Sequence, residues 1–216
     1  MEFNAARELM IETQVRPNDV TDRRIHDALR KTPREAFLPR SRRALAYSEA
    51  EIETSDGRFM WRPRDFAKLL QAAEIDDEDL VLDIAPGAGY SSAILARLAS
   101  AVVGLEADEE AATKAGERLA DLGVDNAVVV AGDLAAGLAK QGPYNVIFVN
   151  GSIEEAPDAW FTQLAEGGRL AAVMREGRAS RAKIFTKTGE VIASRTAFDA
   201  APPRLDGFER KAGFAF

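Results

Sequence analysis

A short glycine-containing segment at residues 83–90 has the residue types of a ligand-binding turn. It reads Asp-Ile-Ala-Pro-Gly-Ala-Gly-Tyr, and it lies between an apolar run and a helical pattern. Gly87 and Gly89 carry no side chain, so backbone N–H groups there can approach a ligand at the positive end of a helix. Asp83 adds a carboxylate near the end of the apolar run. The segment predicts a small-molecule site at a strand–helix turn.

Two further acids lie at or just after the ends of the next two apolar runs. Glu106 lies 17 residues after Gly89, within the run 101–107. A carboxylate at that place accepts two hydrogen bonds from a ribose diol in nucleotide-binding folds. Asp133 follows the run 126–132, where its carboxylate can accept from the N6 amine of adenine. Three acids at the ends of three strands predict a cofactor with a ribosyl–adenine moiety.

The spacing of the glycines bears on which cofactor binds. The dinucleotide fingerprint G-x-G-x-x-G needs a third glycine, and Ser92 stands there. The segment instead resembles the D-x-G-x-G-x-G loop of S-adenosylmethionine-dependent methyltransferases, with Ala85 in place of one glycine. A carboxylate at Asp83 suits the cationic amino acid end of that cofactor, so we predict S-adenosylmethionine. The predicted cofactor-binding residues are Asp83, Ala85, Pro86, Gly87, Gly89, Tyr90, Glu106, Ala107, Asp133 and Leu134.

The elements that must position these residues alternate from residue 79 onward. Apolar runs predict five buried strands, at 80–85, 101–107, 126–132, 144–150 and 168–174. Helical patterns lie at 90–99, 108–122 and 156–165. Continuous apolar strands that alternate with helices predict a parallel sheet covered on both faces. Two extended runs around 187–190 predict an antiparallel hairpin, and we expect the aromatic tail to pack back on the fold.

The N-terminal third differs from the rest in composition. It is rich in Arg and acids, and its prolines predict short helices joined by turns. One helix is predicted from a cap at Thr21 to about Lys31, and another begins near Pro63. The predicted fold class is α/β: a doubly wound, mostly parallel, Rossmann-like methyltransferase sheet with an N-terminal helical cap and a C-terminal antiparallel hairpin. We expect one compact unit, with the cap at 1–78 and the cofactor-binding core at 79–216.

Composition excludes several kinds of site. The 216 residues include no Cys and one His, which excludes thiolate nucleophiles, disulfides and multi-His metal sites. The formal net charge of −7 argues against non-specific nucleic-acid binding. The chain has no long apolar run, and its N-terminus lacks the apolar region of a signal peptide. We therefore expect a cytoplasmic protein with no metal site that binds neither nucleic acid nor a membrane.

Most of the chain, about residues 5–175, resembles the protein-L-isoaspartate (D-aspartate) O-methyltransferase family. The discriminating match is the segment 10–39, with its Pro-Arg-Glu-x-Phe-x-Pro turn. Further matches are Gly132-Asp133 and the Leu-x-x-Gly-Gly-Arg-Leu segment at 164–170. The resemblance implies methyl transfer from S-adenosylmethionine to the α-carboxylate of L-isoaspartyl residues in damaged proteins. The resulting ester collapses to a succinimide, which reopens partly to normal aspartate.

The predicted substrate loop departs from that family. Where the family has Gly-Gln-Thr-Ile-Ser-Gln-Pro, this chain has Gly-Arg-Phe-Met-Trp-Arg-Pro. Two hydroxyl residues that touch the substrate carboxylate in the family are therefore lost, and a guanidinium is the candidate replacement. The predicted substrate-loop residues are Gly57, Arg58, Phe59, Trp61 and Arg62. We expect smaller departures, at Asn145 and at Asn150–Ser152, near the same pocket, and no catalytic residue is assigned.

Three hypotheses about function stay open at this point. The chain is an isoaspartyl-repair enzyme with a changed loop, a methyltransferase for another carboxylate or small molecule, or a catalytically silent S-adenosylmethionine-binding protein. Arg58 and Arg62 near the cofactor methyl would favour the first two, whereas Trp61 plugging the pocket would favour the third. A nicotinamide oxidoreductase is a more distant alternative. The expected partners are isoaspartyl peptides or proteins, or a small carboxylate, and the chain is expected to be a monomer or a homodimer.

Overall fold

The computed structural model describes residues 2–54 and 58–210. Its helices are α1 (Phe3–Met10), α2 (Arg23–Lys31), α3 (Pro63–Ala73), α4 (Tyr90–Leu95), α5 (Glu109–Asp121) and α6 (Asp158–Thr162). Its strands are β1 (Ile52–Glu53), β2 (Phe59–Met60), β3 (Leu80–Ile84), β4 (Ala101–Glu106), β5 (Ala127–Ala131), β6 (Tyr144–Ile153), β7 (Leu164–Glu176), β8 (Ala179–Thr188) and β9 (Val191–Asp199). A π-helical turn spans Ile11–Val15, and 3-10 turns span Arg16–Asn18, Arg34–Phe37, Arg40–Leu45 and Ala139–Gln141.

One seven-stranded sheet has the order β5-β4-β3-β6-β7-β8-β9. The pairs from β5 to β7 are parallel, and β8 and β9 continue the sheet antiparallel. The predicted doubly wound, mostly parallel sheet and its terminal hairpin are therefore confirmed. Strands β4 and β5 are added on one side of β3, and β6 and β7 on the other, so the order of the strands reverses between β3 and β6. Ligands of such sheets bind at the carboxyl ends of the strands near that point. Strands β1 and β2 form a separate antiparallel pair.

Local sequence signals explain where α2, α3 and α5 begin. Pro63 opens α3, and the Asp108 side chain caps α5 by accepting the Ala111 N–H at 2.8 Å. The cap predicted at Thr21 is wrong by one residue, because α2 begins at Arg23 and Asp22 accepts the Arg24 N–H. Both residue types can cap a helix, so sequence alone does not separate them.

Two predicted helices are shorter in the structure. Helix α4 ends at Leu95, and α6 ends at Thr162, inside the predicted segment 156–165. The end of that segment is already part of β7, because Leu164 pairs with Tyr144 of β6. Strand pairing satisfies the backbone hydrogen bonds there, and so it overrides the local helical pattern.

An apolar cluster lies on each face of the sheet. Alternate residues of β3 point to opposite faces, so Val81 belongs to one cluster and Leu82 to the other. The first cluster includes buried residues of α2, α3, α4 and α5, so the N-terminal segment shares its core with the sheet. The second includes Trp160 of α6 and Phe208 of the tail, whose ring centroids are 5.1 Å apart. The described part of the tail therefore packs back on the fold as predicted.

Candidate functional site

The turn after β3 has three residues in the left-handed region of backbone conformation. They are Ala85 with φ +57°, Gly87 with φ +56° and Gly89 with φ +91°, the last immediately before α4. A Cβ atom added at Gly104 of β4 would lie 3.2 Å from Pro86, so this glycine lets the turn pack closely on the neighbouring strand. The predicted strand–glycine turn–helix arrangement is present, and it bends the chain at the carboxyl end of the sheet.

The carboxylate of Asp83 lies behind this turn and is completely buried. One of its oxygens accepts hydrogen bonds from Ser91 Oγ and Ser92 Oγ, both at 2.7 Å. The other accepts from Asn150 Nδ2 at 2.6 Å. Burial raises the pKa of Asp83 to about 7, against the opposing effect of these three hydrogen bonds. Asp83 thus fixes the positions of Ser91 and Asn150, which were not among the residues predicted to contact the cofactor.

Glu106 at the end of β4 is also buried, with 1% of its surface exposed. Its Oε1 accepts the Gly87 N–H at 2.8 Å, which ties this acid to the glycine turn. Its Oε2 accepts the Ala107 N–H at 3.1 Å and a hydrogen bond from Arg58 Nη2 at 2.9 Å. The residue predicted to bind ribose is therefore paired with a residue of the predicted substrate loop.

A narrow cleft, with a cavity volume of about 30 Å³, opens beside this ion pair. One wall consists of the turn residues 85–88 together with Asn150, and the other includes Arg58, Phe59 and Trp61. Trp61 is buried, whereas 43% of the Phe59 surface is exposed. The structure brings the predicted cofactor turn and the predicted substrate loop to one cleft. Gly57, the remaining small residue predicted for that loop, lies outside the described residues.

The two candidate arginines of the loop have different surroundings. Arg58 lines the cleft, whereas Arg62 binds both carboxylate oxygens of Glu51, at 2.7 and 2.9 Å. Oδ2 of Asp65 also lies near this arginine, 3.6 Å from Arg62 Nε. Arg62 therefore holds the start of α3 to the loop, and Arg58 is the one of the two that lines the cleft.

Buried Arg34 supports the aromatic side of the cleft. Its Nη2 donates to the Trp61 carbonyl at 2.7 Å, and its Nε donates to the Ala46 carbonyl at 2.7 Å. The guanidinium carbon lies 4.8 Å from the centre of the Tyr90 ring. The sequence indicated Arg34 only as part of a family turn, because its partners are distant along the chain.

A second groove, with a cavity volume of about 390 Å³, lies next to Ala107, Asp133 and Leu134. The tail residues 206–208 complete its lining. Asp133 is exposed and accepts the Ala135 N–H at 2.9 Å, while Trp160 Nε1 donates to the Leu134 carbonyl at 2.8 Å. No sequence signal connected the tail with this groove.

The expectation that Asn145 lies near the pocket is wrong. Its side chain accepts the Leu80 N–H at 2.9 Å, which places it at the amino ends of β3 and β6, opposite the cleft. Asn150 does line the cleft, whereas Ser152 anchors the tail through its N–H and Oγ, which donate to the carbonyls of residues 203 and 202. Residues of one strand thus serve three different purposes.

Residues 2–54 and 58–210 lack two kinds of feature. No helix there has the length and apolarity needed to cross a membrane. Within the same ranges, no group of three or more His, Asp or Glu side chains could hold a metal ion.

Comparisons with known sequences agree with the resemblance found in the sequence. The model of the protein-L-isoaspartate(D-aspartate) O-methyltransferase family matches residues 5–199. A protein-L-isoaspartate O-methyltransferase of Methanoculleus marisnigri is 37% identical over 166 residues, which are 77% of this chain and 76% of the relative. One from Koribacter versatilis is 38% identical over 168 residues, with 78% and 76% covered.

Solved structures show the same fold. A protein-L-isoaspartate O-methyltransferase structure superposes with a TM-score of 0.82 and 27% identity, covering 93% of this chain and 66% of the other. A beta-aspartate methyltransferase of Plasmodium falciparum, in complex with S-adenosyl-L-homocysteine, gives a TM-score of 0.77 at 17% identity, covering 94% and 98%. The family uses S-adenosylmethionine as methyl donor. From the match over residues 5–199 and the identity to these relatives, the chain belongs to the protein-L-isoaspartate(D-aspartate) O-methyltransferase family.

Proposed function

We propose that this chain transfers a methyl group from S-adenosylmethionine to the α-carboxylate of L-isoaspartyl residues in peptides or proteins. The observation that carries the proposal is the single cleft between the glycine turn and the loop that bears Arg58. Buried Glu106, bonded to the turn, can bind a ribose, and the Arg58 guanidinium on the facing wall can bind an anionic substrate beside it.

The residues around the turn fit the proposed cofactor. Glu106 lies between the two cavities, because its carboxylate contacts Gly87 of the cleft and its neighbour Ala107 lines the second groove. We assign Glu106 to the ribose, the cleft to the methionine end and the groove to adenine. Asp83 serves the methionine end through Ser91 and Asn150, which it holds in place.

The remaining predicted contacts are assigned to the same two ends. Ala85, Pro86, Gly87, Gly89 and Tyr90 form the turn and the start of α4 beside the methionine end, and Ala107, Asp133 and Leu134 line the adenine groove. We further propose that the cap at 1–78 and the core at 79–216 act as one compact unit, which the shared apolar cluster supports.

The reaction needs little acid–base catalysis from the protein. Bound S-adenosylmethionine supplies an electrophilic methyl group, and a substrate carboxylate is already ionised at neutral pH. The chain must therefore orient the carboxylate and exclude water from it. Arg58 can hold one carboxylate oxygen, while Trp61, Phe59 and the ring of Tyr90 provide apolar walls. No general base is needed, which agrees with a chain that has one His and no Cys.

A second candidate function is methylation of a small free carboxylate. The bulk of Phe59 and Trp61, at the two positions where the family has hydroxyl residues, favours a smaller substrate in this cleft. The Arg58 cation on the cleft wall favours a carboxylate substrate under both candidate functions, and it argues against a catalytically silent protein.

The test is methyl transfer from radiolabelled S-adenosylmethionine to an isoaspartyl peptide, with the peptide of the same sequence containing normal aspartate as the matched control. Calorimetric binding of S-adenosylhomocysteine is measured in parallel. Turnover of the isoaspartyl peptide alone supports the proposal. Binding without turnover of either peptide rejects the isoaspartyl substrate and directs the search to small carboxylates. Failure to bind S-adenosylhomocysteine rejects the cofactor assignment.

A further inference from the structure

The hydrogen-bonding capacity of Glu106 limits what it can bind at one time. A carboxylate has two oxygens with about four acceptor positions in total. Three donors already use them: the Gly87 N–H at Oε1, and the Ala107 N–H and Arg58 Nη2 at Oε2. A ribose diol bound by two hydrogen bonds needs two positions. Glu106 therefore cannot satisfy the diol and all three present donors together.

Arg58 is the donor that can leave. Gly87 and Ala107 donate from the main chain, so they can withdraw only if the turn or the end of β4 moves. Arg58 donates from a long side chain that is 27% exposed, whereas the Glu106 side chain is 2% exposed. Turning a flexible side chain costs less than moving a packed turn. The ribose therefore replaces the guanidinium and leaves the turn in place.

Arg58 already lines the cleft where the substrate would bind, so a guanidinium displaced from Glu106 can reach an anion there. The two neighbouring arginines are committed to other partners. Arg62 binds Glu51 through two hydrogen bonds, and Arg34 donates to the carbonyls of Ala46 and Trp61. A guanidinium matches a carboxylate in shape and charge, so the substrate α-carboxylate is its natural second partner.

We propose that Arg58 is an exchange residue that couples cofactor binding to substrate binding. Before the cofactor binds, its guanidinium occupies the ribose-binding face of Glu106. When the ribose takes that face, the guanidinium turns to the cleft and binds the substrate carboxylate. The cofactor therefore binds first and creates the carboxylate site. This proposal rests on the proposed function for the identity of both ligands.

Arg58→Gln is the decisive variant, because glutamine keeps a polar side chain but removes the charge. Since the competitor of the ribose is gone, S-adenosylhomocysteine should bind about three- to ten-fold more tightly than to wild type. The KM for the isoaspartyl peptide should rise at least about ten-fold, and Arg58→Lys should restore part of it. Arg62→Gln removes the same charge from the same loop and should leave the affinity for S-adenosylhomocysteine unchanged.

Two further measurements follow from the coupling. The wild type should bind the isoaspartyl peptide more tightly with S-adenosylhomocysteine present, and this gain should vanish in Arg58→Gln. Added salt should tighten S-adenosylhomocysteine binding to wild type, since it screens the Arg58–Glu106 pair, and should do so much less in the variant.

Unchanged or weaker binding of S-adenosylhomocysteine by Arg58→Gln would overturn the exchange, provided that thermal melting shows a folded variant. If that variant is unfolded, the salt dependence of wild type decides instead, and binding that weakens or stays level with salt counts against the proposal. A wild type that binds S-adenosylhomocysteine but never methylates the isoaspartyl peptide would reject the proposed function. The affinity comparison would still decide whether Arg58 competes with the ribose.

Discussion

The two walls of the cleft are held together by different kinds of contact. The glycine turn is fixed by buried hydrogen bonds, those of Asp83 with Ser91 and of Glu106 with the Gly87 N–H. The facing loop is fixed mainly by ion pairs of partly exposed arginines, such as Arg62 with Glu51, and it has one buried hydrogen bond, from Arg34 to the Trp61 carbonyl. Buried hydrogen-bonded groups are costly to disturb, whereas ion pairs at a surface contribute little and re-form easily.

This difference explains how one family fold can keep its cofactor and change its substrate wall. The turn, to which we assign the cofactor, combines backbone N–H groups with buried acids, and buried acids tolerate few substitutions. The loop presents side chains from a short two-stranded pair, β1 and β2, joined at Ile52–Met60 and Glu53–Phe59. Phe59 and Trp61 could therefore replace smaller polar residues without any change in the sheet behind them.

The largest expected effect is the loss of cofactor binding when Glu106, which accepts the Gly87 N–H of the turn, is changed. Glu106→Gln should weaken S-adenosylhomocysteine binding at least about 30-fold, because its amide NH₂ would face the Gly87 N–H or give up a ribose contact. Calorimetry measures the affinity. The matched control is Glu51→Gln on the loop wall, which should change the affinity less than about three-fold. Equal losses in both variants would mean that the two walls do not differ.

The next effect is on stability and depends on pH. Burial raises the pKa of Asp83 from 3.8 to about 7, so between these values the unfolded chain releases a proton that the folded chain retains. The unfolding free energy of wild type should therefore fall, relative to Asp83→Asn, as the pH rises through that window. It should then level off above about pH 7.

The size of this change should be on the order of a few kcal/mol, because each unit of pKa shift corresponds to about 1.4 kcal/mol. Urea unfolding at pH values about one unit apart, between about 5 and 8, measures the change in unfolding free energy. Asp133→Asn, at an exposed acid, is the control and should follow wild type at every pH. A difference between wild type and Asp83→Asn that stays constant with pH would show that Asp83 is not held protonated by burial.

The same contrast marks what the sequence could reveal. Strand periodicity, glycines and the acids near the ends of β3 and β4 are local signals, and they placed the turn after β3 and Glu106 at the end of β4, where the structure has them. The Arg58–Glu106 pair joins residues 48 positions apart, and Asn150 reaches Asp83 across 67. Such partners depend on strand order, which no local pattern encodes. Pairing between strands likewise overrode the helix predicted up to residue 165.

The error at Asn145 has a simple geometric cause. Asn145 and Asn150 lie five positions apart on β6, and a strand rises about 3.3 Å per residue, so they are separated by about 16 Å. Both positions differ from the family pattern, but only the carboxyl end of the strand faces the cleft. A departure from a family motif therefore shows a change in the pocket only when the strand direction places that residue at the cleft.

The smallest expected effect concerns backbone strain in the turn. Ala85 has φ +57°, a conformation that costs a residue with a Cβ about 1 kcal/mol, and the family pattern has glycine there. Ala85→Gly should therefore raise the unfolding free energy by up to about 1 kcal/mol, since the relief of strain exceeds the added freedom of the unfolded chain.

The control for this variant is Ala120→Gly, at an exposed position within α5. That change should lower the unfolding free energy by about 1 kcal/mol, as glycine does in a helix. Denaturant unfolding of the two variants should thus give shifts of opposite sign. If both shifts are negative and alike, packing of the buried Ala85 methyl outweighs the strain, and the turn is held by side-chain contacts as well as by its main chain.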